Sequence, residues 1–202
     1  MPGMPGMPGS PAIQYTAGMT RQVSLWRSEH ANFRRLLSML ERELAAFERG
    51  AEPDRGLMAD LVSYLHQHAE HAHHPQEEAA FELLVARDPS LAIPLGRLRQ
   101  EHRVLAASGA ELLDRLGELE SDVVVSREPV ESAAATFLVY SRHHLAVEER
   151  DFLPRAEALL TPEDWAAVFA AAGSAPDPLF GDPPGQRFAD LRRRIDRETG
   201  AG

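Results

Sequence analysis

The sequence predicts an all-α protein, an antiparallel up-down four-helix bundle with a short C-terminal helical extension. Four long segments carry apolar residues at the spacing of one helix face, and the short connections between them favour antiparallel neighbours. The second half of the chain also repeats the pattern of the first. The predicted organisation is a disordered Met-Pro-Gly leader at 1–20, the bundle at 21–160, and a helical extension with a tail at 161–202.

Composition excludes several classes of function. The 202 residues carry a net charge of −10, which argues against a nucleic-acid partner or a basic membrane-surface helix. Cysteine is absent, so disulfides, thiolate zinc sites and iron–sulfur clusters are excluded, and nothing calls for an oxidising compartment. No apolar run reaches the roughly 20 residues of a membrane span. We therefore expect a cytoplasmic protein without a membrane or nucleic-acid partner.

The first nine residues are three copies of Met-Pro-Gly. Proline and glycine at this density prevent a stable helix, so the leader is predicted to be disordered. Met19 stands directly before the periodic region and is an alternative start.

The first two predicted helices each contribute to a polar cluster. The helix at 21–49 carries His30 within its apolar stripe, and the helix at 54–87 carries His73 and Glu77 four residues apart, on one face. The proline between the last two is expected to bend the second helix.

The third and fourth helices repeat this arrangement. The helix at 90–120 carries His102 in its stripe, and the helix at 127–160 carries His144 and Glu148, again four residues apart. In both halves of the chain, one helix supplies a core histidine and the next supplies a His-x-x-x-Glu pair.

The segment HHPQEE holds two overlapping His-x-x-x-Glu pairs, so the inward pair has to be chosen. Phe152 follows His144 by eight residues, and Phe81 follows His73 by eight. This correspondence favours His73 and Glu77 over the pair one residue later.

Counting residues from the turns places the four histidines and two glutamates in one layer of the bundle, within a few ångström. A single core histidine is more often a packing residue than a ligand, but six such groups at one level are too many to satisfy one another. Imidazole and carboxylate without thiolate suit iron, manganese or zinc. Two glutamates could each bridge two ions, which indicates a dinuclear site.

These motifs resemble the hemerythrin family, in the form of the HHE cation-binding domain. The similar stretches are EHANF around His30, HHPQEEAAF at 73–81, EHRVL around His102 and HHLAVEERDFLP at 143–154, within about 22–160. The resemblance implies a four-helix bundle with a non-haem di-iron centre of the Fe–O–Fe type, manganese or zinc being less favoured. The ligands it implies are His30, His73, Glu77, His102, His144 and Glu148.

One position departs from the oxygen-carrying hemerythrins, which have a further histidine one turn after the third-helix ligand. Ala106 occupies that position here. The chain therefore resembles the members with four histidines and two glutamates, which are associated with iron, nitric oxide or peroxide.

Other polar residues receive smaller roles. His66 could contact a ligand from outside, line an access path or, as the favoured role, cap the core. Tyr140 could be an outer hydrogen-bond donor, an additional ligand or a packing residue. Glu78 and Glu149 face solvent or orient ligands. The histidines expected at the surface are His68, His71, His74 and His143.

Beyond the bundle, Thr161-Pro162 predicts the start of a short helix that ends near residue 172. A turn-rich connector and a second amphipathic helix follow. The extension either packs on the bundle or forms a docking or homodimer surface.

Two functions follow from the sequence. The first is a di-iron protein that binds or reacts with O2, NO or peroxide in a stress response. The second is an iron-sensing or iron-binding regulatory module without turnover. Whether the chain is an enzyme stays open.

Overall fold

Four long helical segments form most of the chain in the computed structural model, which describes residues 11–120, 127–171 and 176–199. Two of the four segments are interrupted by a π-helical turn, and two short helices follow them. The helices are α1 (Pro11–Glu48), α2 (Arg55–His68), α3 (His74–Arg87), α4 (Ala92–Glu120), α5 (Arg127–Val147), α6 (Leu153–Leu159), α7 (Pro162–Ala171) and α8 (Ala189–Thr199). All regular elements of the described residues are helical, as predicted.

Helix α1 begins at Pro11, about ten residues before the predicted start near residue 21. Proline is acceptable in the first helical turn, where the backbone N–H has no intrahelical acceptor. The predicted leader at 1–20 therefore overlaps α1 at residues 11–20. For residues 1–10 the prediction of disorder lies outside the described residues.

Local signals set the helix ends that position the site. Gly50, with a φ of +77°, ends α1 in the left-handed region that glycine adopts readily. The Asp54 carboxylate accepts a hydrogen bond from Leu57 N at 2.9 Å and caps α2. Asp88 precedes a proline, is extended and ends α3.

A π-turn stands two residues before each of two prolines. The turn Ala69–His73 precedes Pro75, and the turn Glu148–Phe152 precedes Pro154. Proline lacks an N–H and its ring clashes with the carbonyl four residues earlier, so the wider turn accommodates it. Each π-turn includes one or more of the predicted ligands.

The apolar core consists of two clusters. One cluster contains the C-terminal half of α1, α2, the C-terminal part of α4, α5 and α8. The other contains the start of α1, α3, the start of α4, α6 and α7. Each long segment runs from one cluster to the other. The predicted ligands lie at the boundary between the two clusters. The polar residues therefore form a layer between two apolar regions.

The C-terminal extension packs on the bundle. Thr161 and Asp164 form reciprocal side-chain to backbone hydrogen bonds that cap α7. Trp165 of α7 packs against Trp26 of α1, with ring centroids 5.1 Å apart. The apolar face of α8 is buried against the chain itself. The apolar stripe of α8 is thus covered without a second subunit.

We expect Ile195→Ala in α8 to lower the free energy of unfolding by about 2–5 kcal/mol, because it leaves a cavity at a site that is 1% exposed. Ile93→Ala is the matched control, since Ile93 is 72% exposed. Urea denaturation of both variants measures the difference. Equal stabilities would show that α8 does not contribute to the folded core.

Among the described residues, no helix combines the length and the hydropathy that a transmembrane span requires.

Candidate metal centre

The six residues predicted as ligands meet in the layer between the two apolar clusters. None is more than 4% exposed. They come from all four long segments: His30 (α1), His73 (first π-turn), Glu77 (α3), His102 (α4), His144 (α5) and Glu148 (second π-turn). Phe81 and Phe152, which follow His73 and His144 by eight residues, contact each other with ring centroids 4.8 Å apart. This contact agrees with the choice of His73 and Glu77 as the inward pair.

The first half of the cluster contains His30 and His73, whose Nε2 atoms lie 3.1 Å apart. Glu77 Oε1 lies 3.3 Å from His73 Nε2, and Glu148 Oε2 lies 3.6 Å from His30 Nε2. One donor atom from each of the four residues falls within 4.8 Å of all the others.

The second half contains His102 and His144. Glu77 Oε2 lies 3.4 Å from His102 Nε2, and Glu148 Oε1 lies 2.9 Å from His144 Nε2. Each glutamate therefore directs one oxygen to each histidine pair. This is the arrangement in which two carboxylates can bridge two cations.

Several atoms in the layer are buried without a hydrogen-bond partner. They are both carboxylate oxygens of Glu77 and of Glu148, and the Nε2 atoms of His102 and His144. Leaving such groups unsatisfied is costly. Cations bound between them would satisfy these atoms, so the residues present fit a metal centre.

Each of the four histidines also has a carboxylate at its other ring nitrogen. The pairs of Nδ1 atom and carboxylate are His30 with Glu149 (3.3 Å), His73 with Glu29 (2.9 Å), His102 with Glu78 (3.2 Å) and His144 with Glu101 (2.9 Å). A hydrogen bond from Nδ1 to a carboxylate fixes the tautomer that leaves Nε2 free to bind a metal, and His73, His102 and His144 form one. Glu78 thus orients a histidine, one of the two roles predicted for it, whereas Glu149 lies near His30 Nδ1 without a hydrogen bond.

The carboxylates raise the pKa of the histidines. Burial alone would lower the pKa of His102, but the nearby carboxylates of Glu148 and Glu77 outweigh it and raise this pKa to about 10. Burial likewise opposes protonation of His144, but the charge of Glu148 and the hydrogen bond to Glu101 raise its pKa to about 9.

The histidines in turn lower the pKa of the carboxyl groups. Burial would raise the pKa of Glu77, but the charge of His73 and the nearby ring nitrogens of His102 and His30 hold it well below its ordinary value. The pKa of Glu29 is lowered to about 2 despite burial, by the nearby ring of His68 and the hydrogen bond with His73. Because metal ligation needs neutral imidazole, a cation would displace protons from the cluster.

Two predictions about the remaining histidines are wrong. His68 and His74 were expected at the surface but are 8% and 6% exposed. His74 lies beside the second half of the cluster, within 4.8 Å of donor atoms of Glu77, His102 and His144. His71 and His143 are exposed, as predicted.

Tyr140 is 44% exposed, which does not support a role as a ligand or an outer donor. The buried stripe of α5 runs through Phe137, Ser141 and His144, and Tyr140 lies to one side of it.

A cavity of about 40 Å³ borders the cluster. His73, His144 and Glu148 form part of its wall, and His66 lies on the wall as well, where an access path was one of its predicted roles. Gly109 permits this position of His66, since a Cβ there would lie 2.9 Å from His66 Nδ1. The volume exceeds the space of one water molecule, so it suits a small ligand.

A polar chain joins the cluster to the C-terminal extension. Glu29 contacts His73 and lies 3.8 Å from His68 Nε2, which is also 3.8 Å from Asp177 Oδ2. Asp177 accepts hydrogen bonds from the Tyr64 hydroxyl and from backbone N–H groups of the connector before α8. The sequence did not reveal this series of polar contacts, because Asp177 is far along the sequence from the His and Glu motifs.

Residues 21–156 match the family model described as hemerythrin HHE cation binding domain. Searches of curated proteins and of solved structures found no significant match.

Proposed function

Because the chain belongs to the hemerythrin HHE cation-binding family, we propose that it is a non-haem di-iron protein that binds or reacts with a small ligand such as O2, NO or peroxide. His30 and His73 would hold one iron and His102 and His144 the other, with Glu77 and Glu148 bridging them. The observation that carries this proposal is that each buried glutamate directs one oxygen to each histidine pair.

The proposal includes the antiparallel up-down arrangement of the bundle. Its support is that successive long segments pass between the two apolar clusters in alternating directions. The contacts of α1 with α2 and α5, and of α4 with α2 and α5, fit the same arrangement.

Bound iron would supply Lewis acidity and redox chemistry at this layer. The chain supplies donors held by the carboxylates at Nδ1, and a small cavity next to them. Apolar side chains such as Phe33, Leu65 and Phe137 line much of that cavity. Such a wall offers few hydrogen bonds, which favours a small ligand over a larger polar substrate.

The test is the visible spectrum of anaerobically purified, iron-loaded protein before and after addition of air, NO or peroxide. We expect the absorption of an oxo-bridged iron pair, changed by at least one of these ligands. If iron binds but air, NO and peroxide all leave the spectrum unchanged, the result would contradict the reactive role and favour an iron-sensing role.

Loss of a carboxylate at a histidine Nδ1 atom should reduce iron affinity without abolishing binding. Glu101→Gln should weaken iron binding by about 10–100-fold, because it removes the charge that orients His144. Glu111→Gln is the control, since this exposed glutamate of the same helix pairs only with Arg115 among the described contacts. Competition with a chelator measures both affinities. An unchanged affinity in Glu101→Gln would show that this contact does not support the ligand.

A second candidate is an iron-responsive module in which metal occupancy affects the extension. The polar chain from His73 through Glu29 and His68 to Asp177 favours it. Limited proteolysis of the full chain should then cut the connector around Asp177 faster after iron removal. Equal cleavage rates with and without iron would contradict this candidate.

A further inference from the structure

His66 of α2 lies on the wall of the cavity beside the cluster but is not one of the six proposed metal ligands. It precedes His73 on the same helical segment by a stretch that corresponds to about 10 Å of helix rise. The imidazoles of both residues line the cavity of about 40 Å³. A ligand of a few atoms in this cavity therefore has the cluster on one side and His66 on another.

The cavity wall carries few polar side chains outside the cluster. Two of them, Glu70 and His74, contact each other, with Glu70 Oε1 3.2 Å from His74 Nδ1. The others are His66 and Ser141. In a largely apolar pocket, a small number of placed polar groups fixes the orientation of the ligand. His66 and Ser141 are the two side chains available for this role.

The imidazole of His66 can serve a molecule in the cavity. Its ring is half-buried and forms no hydrogen bond with another residue in the part of the chain that the structure describes. An imidazole carries at least one N–H donor in either protonation state. O2, NO and peroxide each offer an oxygen that can accept a hydrogen bond from it.

Gly109 of α4 makes room for this ring. A Cβ at Gly109 would lie 2.9 Å from His66 Nδ1 and 3.3 Å from Phe137 Cε2, closer than side chains normally pack. Glycine inside a helix is less stable than alanine. A Cβ at Gly96 or Gly117, in the same helix, would meet no atom within 4 Å. Of these three glycines, Gly109 is the one whose missing side chain admits the imidazole.

We propose that His66 donates a hydrogen bond to the small ligand held at the cluster. His66 then determines specificity: it favours a ligand that presents an acceptor oxygen to the cavity over one of equal size that does not. Gly109 keeps the ring in place for this contact. The inference rests on the proposed di-iron function, because the irons hold the ligand that His66 contacts.

The test compares NO binding by iron-loaded variants of the full chain. His66→Leu removes the donor and keeps an apolar side chain, whereas His66→Gln retains an N–H donor. Ser141→Ala removes the other polar group, and His71→Leu is the matched control at an exposed histidine nearby. Infrared spectroscopy gives the N–O stretching frequency, which a hydrogen bond to the oxygen lowers. Stopped-flow kinetics give the affinity for NO.

We expect His66→Leu to raise the N–O frequency and to weaken NO binding by about 2–10-fold, the contribution of one hydrogen bond. His66→Gln, Ser141→Ala and His71→Leu should keep the lower frequency. Wild-type frequency and affinity in His66→Leu would overturn the inference, as would an effect confined to Ser141→Ala. A wild type whose spectrum is unchanged by NO, air and peroxide would instead contradict the proposed function.

Substitutions of glycine test the contact from the opposite helix. Gly109→Ala should displace the His66 ring and raise the N–O frequency, and its combination with His66→Leu should match His66→Leu alone, because both remove the same contact. Gly117→Ala is the control and should keep the wild-type frequency. In metal-free protein, Gly109→Ala should lower the Tm and Gly117→Ala should raise it. A raised Tm with the wild-type frequency in Gly109→Ala would overturn the inference.

Discussion

Replacing Glu77 by glutamine should abolish the binding of both irons. The two oxygens of Glu77 reach different histidine pairs, 3.3 Å from His73 Nε2 and 3.4 Å from His102 Nε2. A neutral amide has one oxygen and no charge, so it cannot bridge two cations. Iron quantification after loading and desalting measures the loss.

The control for this substitution is Glu82→Gln on the same helix. The Glu82 side chain is 77% exposed and meets only Arg99 among the described contacts. It should keep both irons, and circular dichroism should show that both variants are helical. Retention of one iron at wild-type affinity in Glu77→Gln would contradict a bridging role, because a bridging residue serves both metals.

Metal-free protein should lose stability as the pH rises from about 6.5 to 10. The pKa of His102 is raised from 6.5 to about 10 in the folded state, and that of His144 to about 9. Their protonation therefore stabilises the fold fully below the unfolded pKa of 6.5. This contribution is lost as the pH passes the folded values.

The carboxyl groups of Glu77 and Glu148 affect the stability of the metal-free protein at acidic pH. The folded pKa of Glu77 and of Glu148 lies below the ordinary value of 4.5, so their stabilisation is present above that pH and is lost as the pH falls. Stability of the metal-free chain should thus be highest between about pH 4.5 and 6.5.

Thermal unfolding followed by circular dichroism at pH 6, 8 and 9.5 tests this pH dependence. Metal-free protein should show a falling Tm, whereas iron-loaded protein, whose histidine ligands are already neutral, should be nearly unaffected. His143→Ala is the control, because this histidine is exposed and the alkaline loss should persist. A flat Tm in the metal-free protein would contradict the coupling between the buried histidines and glutamates.

The six proposed ligands could be identified from the sequence because each lies on the apolar stripe of a helix. Buried position and helical spacing are both encoded locally, and the half-repeat favours His73 and Glu77 as the inward pair. The meeting of all six at one level followed from counting residues to each turn, since the helical rise is nearly constant.

The other residues of the layer could not be assigned in this way. Periodicity assumes regular helix, and the π-turn before Pro75 breaks that assumption, so the adjacent His74 is buried as well. His68 is buried because Tyr64 stacks on it and Asp177 of the extension lies beside it. Tyr140 lies at the edge of the buried stripe of α5 and is 44% exposed.

The pairing of carboxylates with histidines shows a similar limit. Glu29 and Glu101 directly precede His30 and His102, but they contact His73 and His144 instead. Neighbours in sequence point to different sides of a helix, so each serves the histidine of an adjacent helix. The repeated Glu-His dipeptide is visible in the sequence. Which histidine each glutamate contacts depends on how the helices pack, and the sequence does not show this.

The central claim is that two irons bind between the histidine pairs and share both glutamates. Anomalous diffraction at the iron edge from crystals of the iron-loaded full chain tests it most directly. The account predicts two peaks in the buried layer, one beside His30 and His73 and one beside His102 and His144, with Glu77 and Glu148 contacting both. A single peak, or peaks outside this layer, would contradict it.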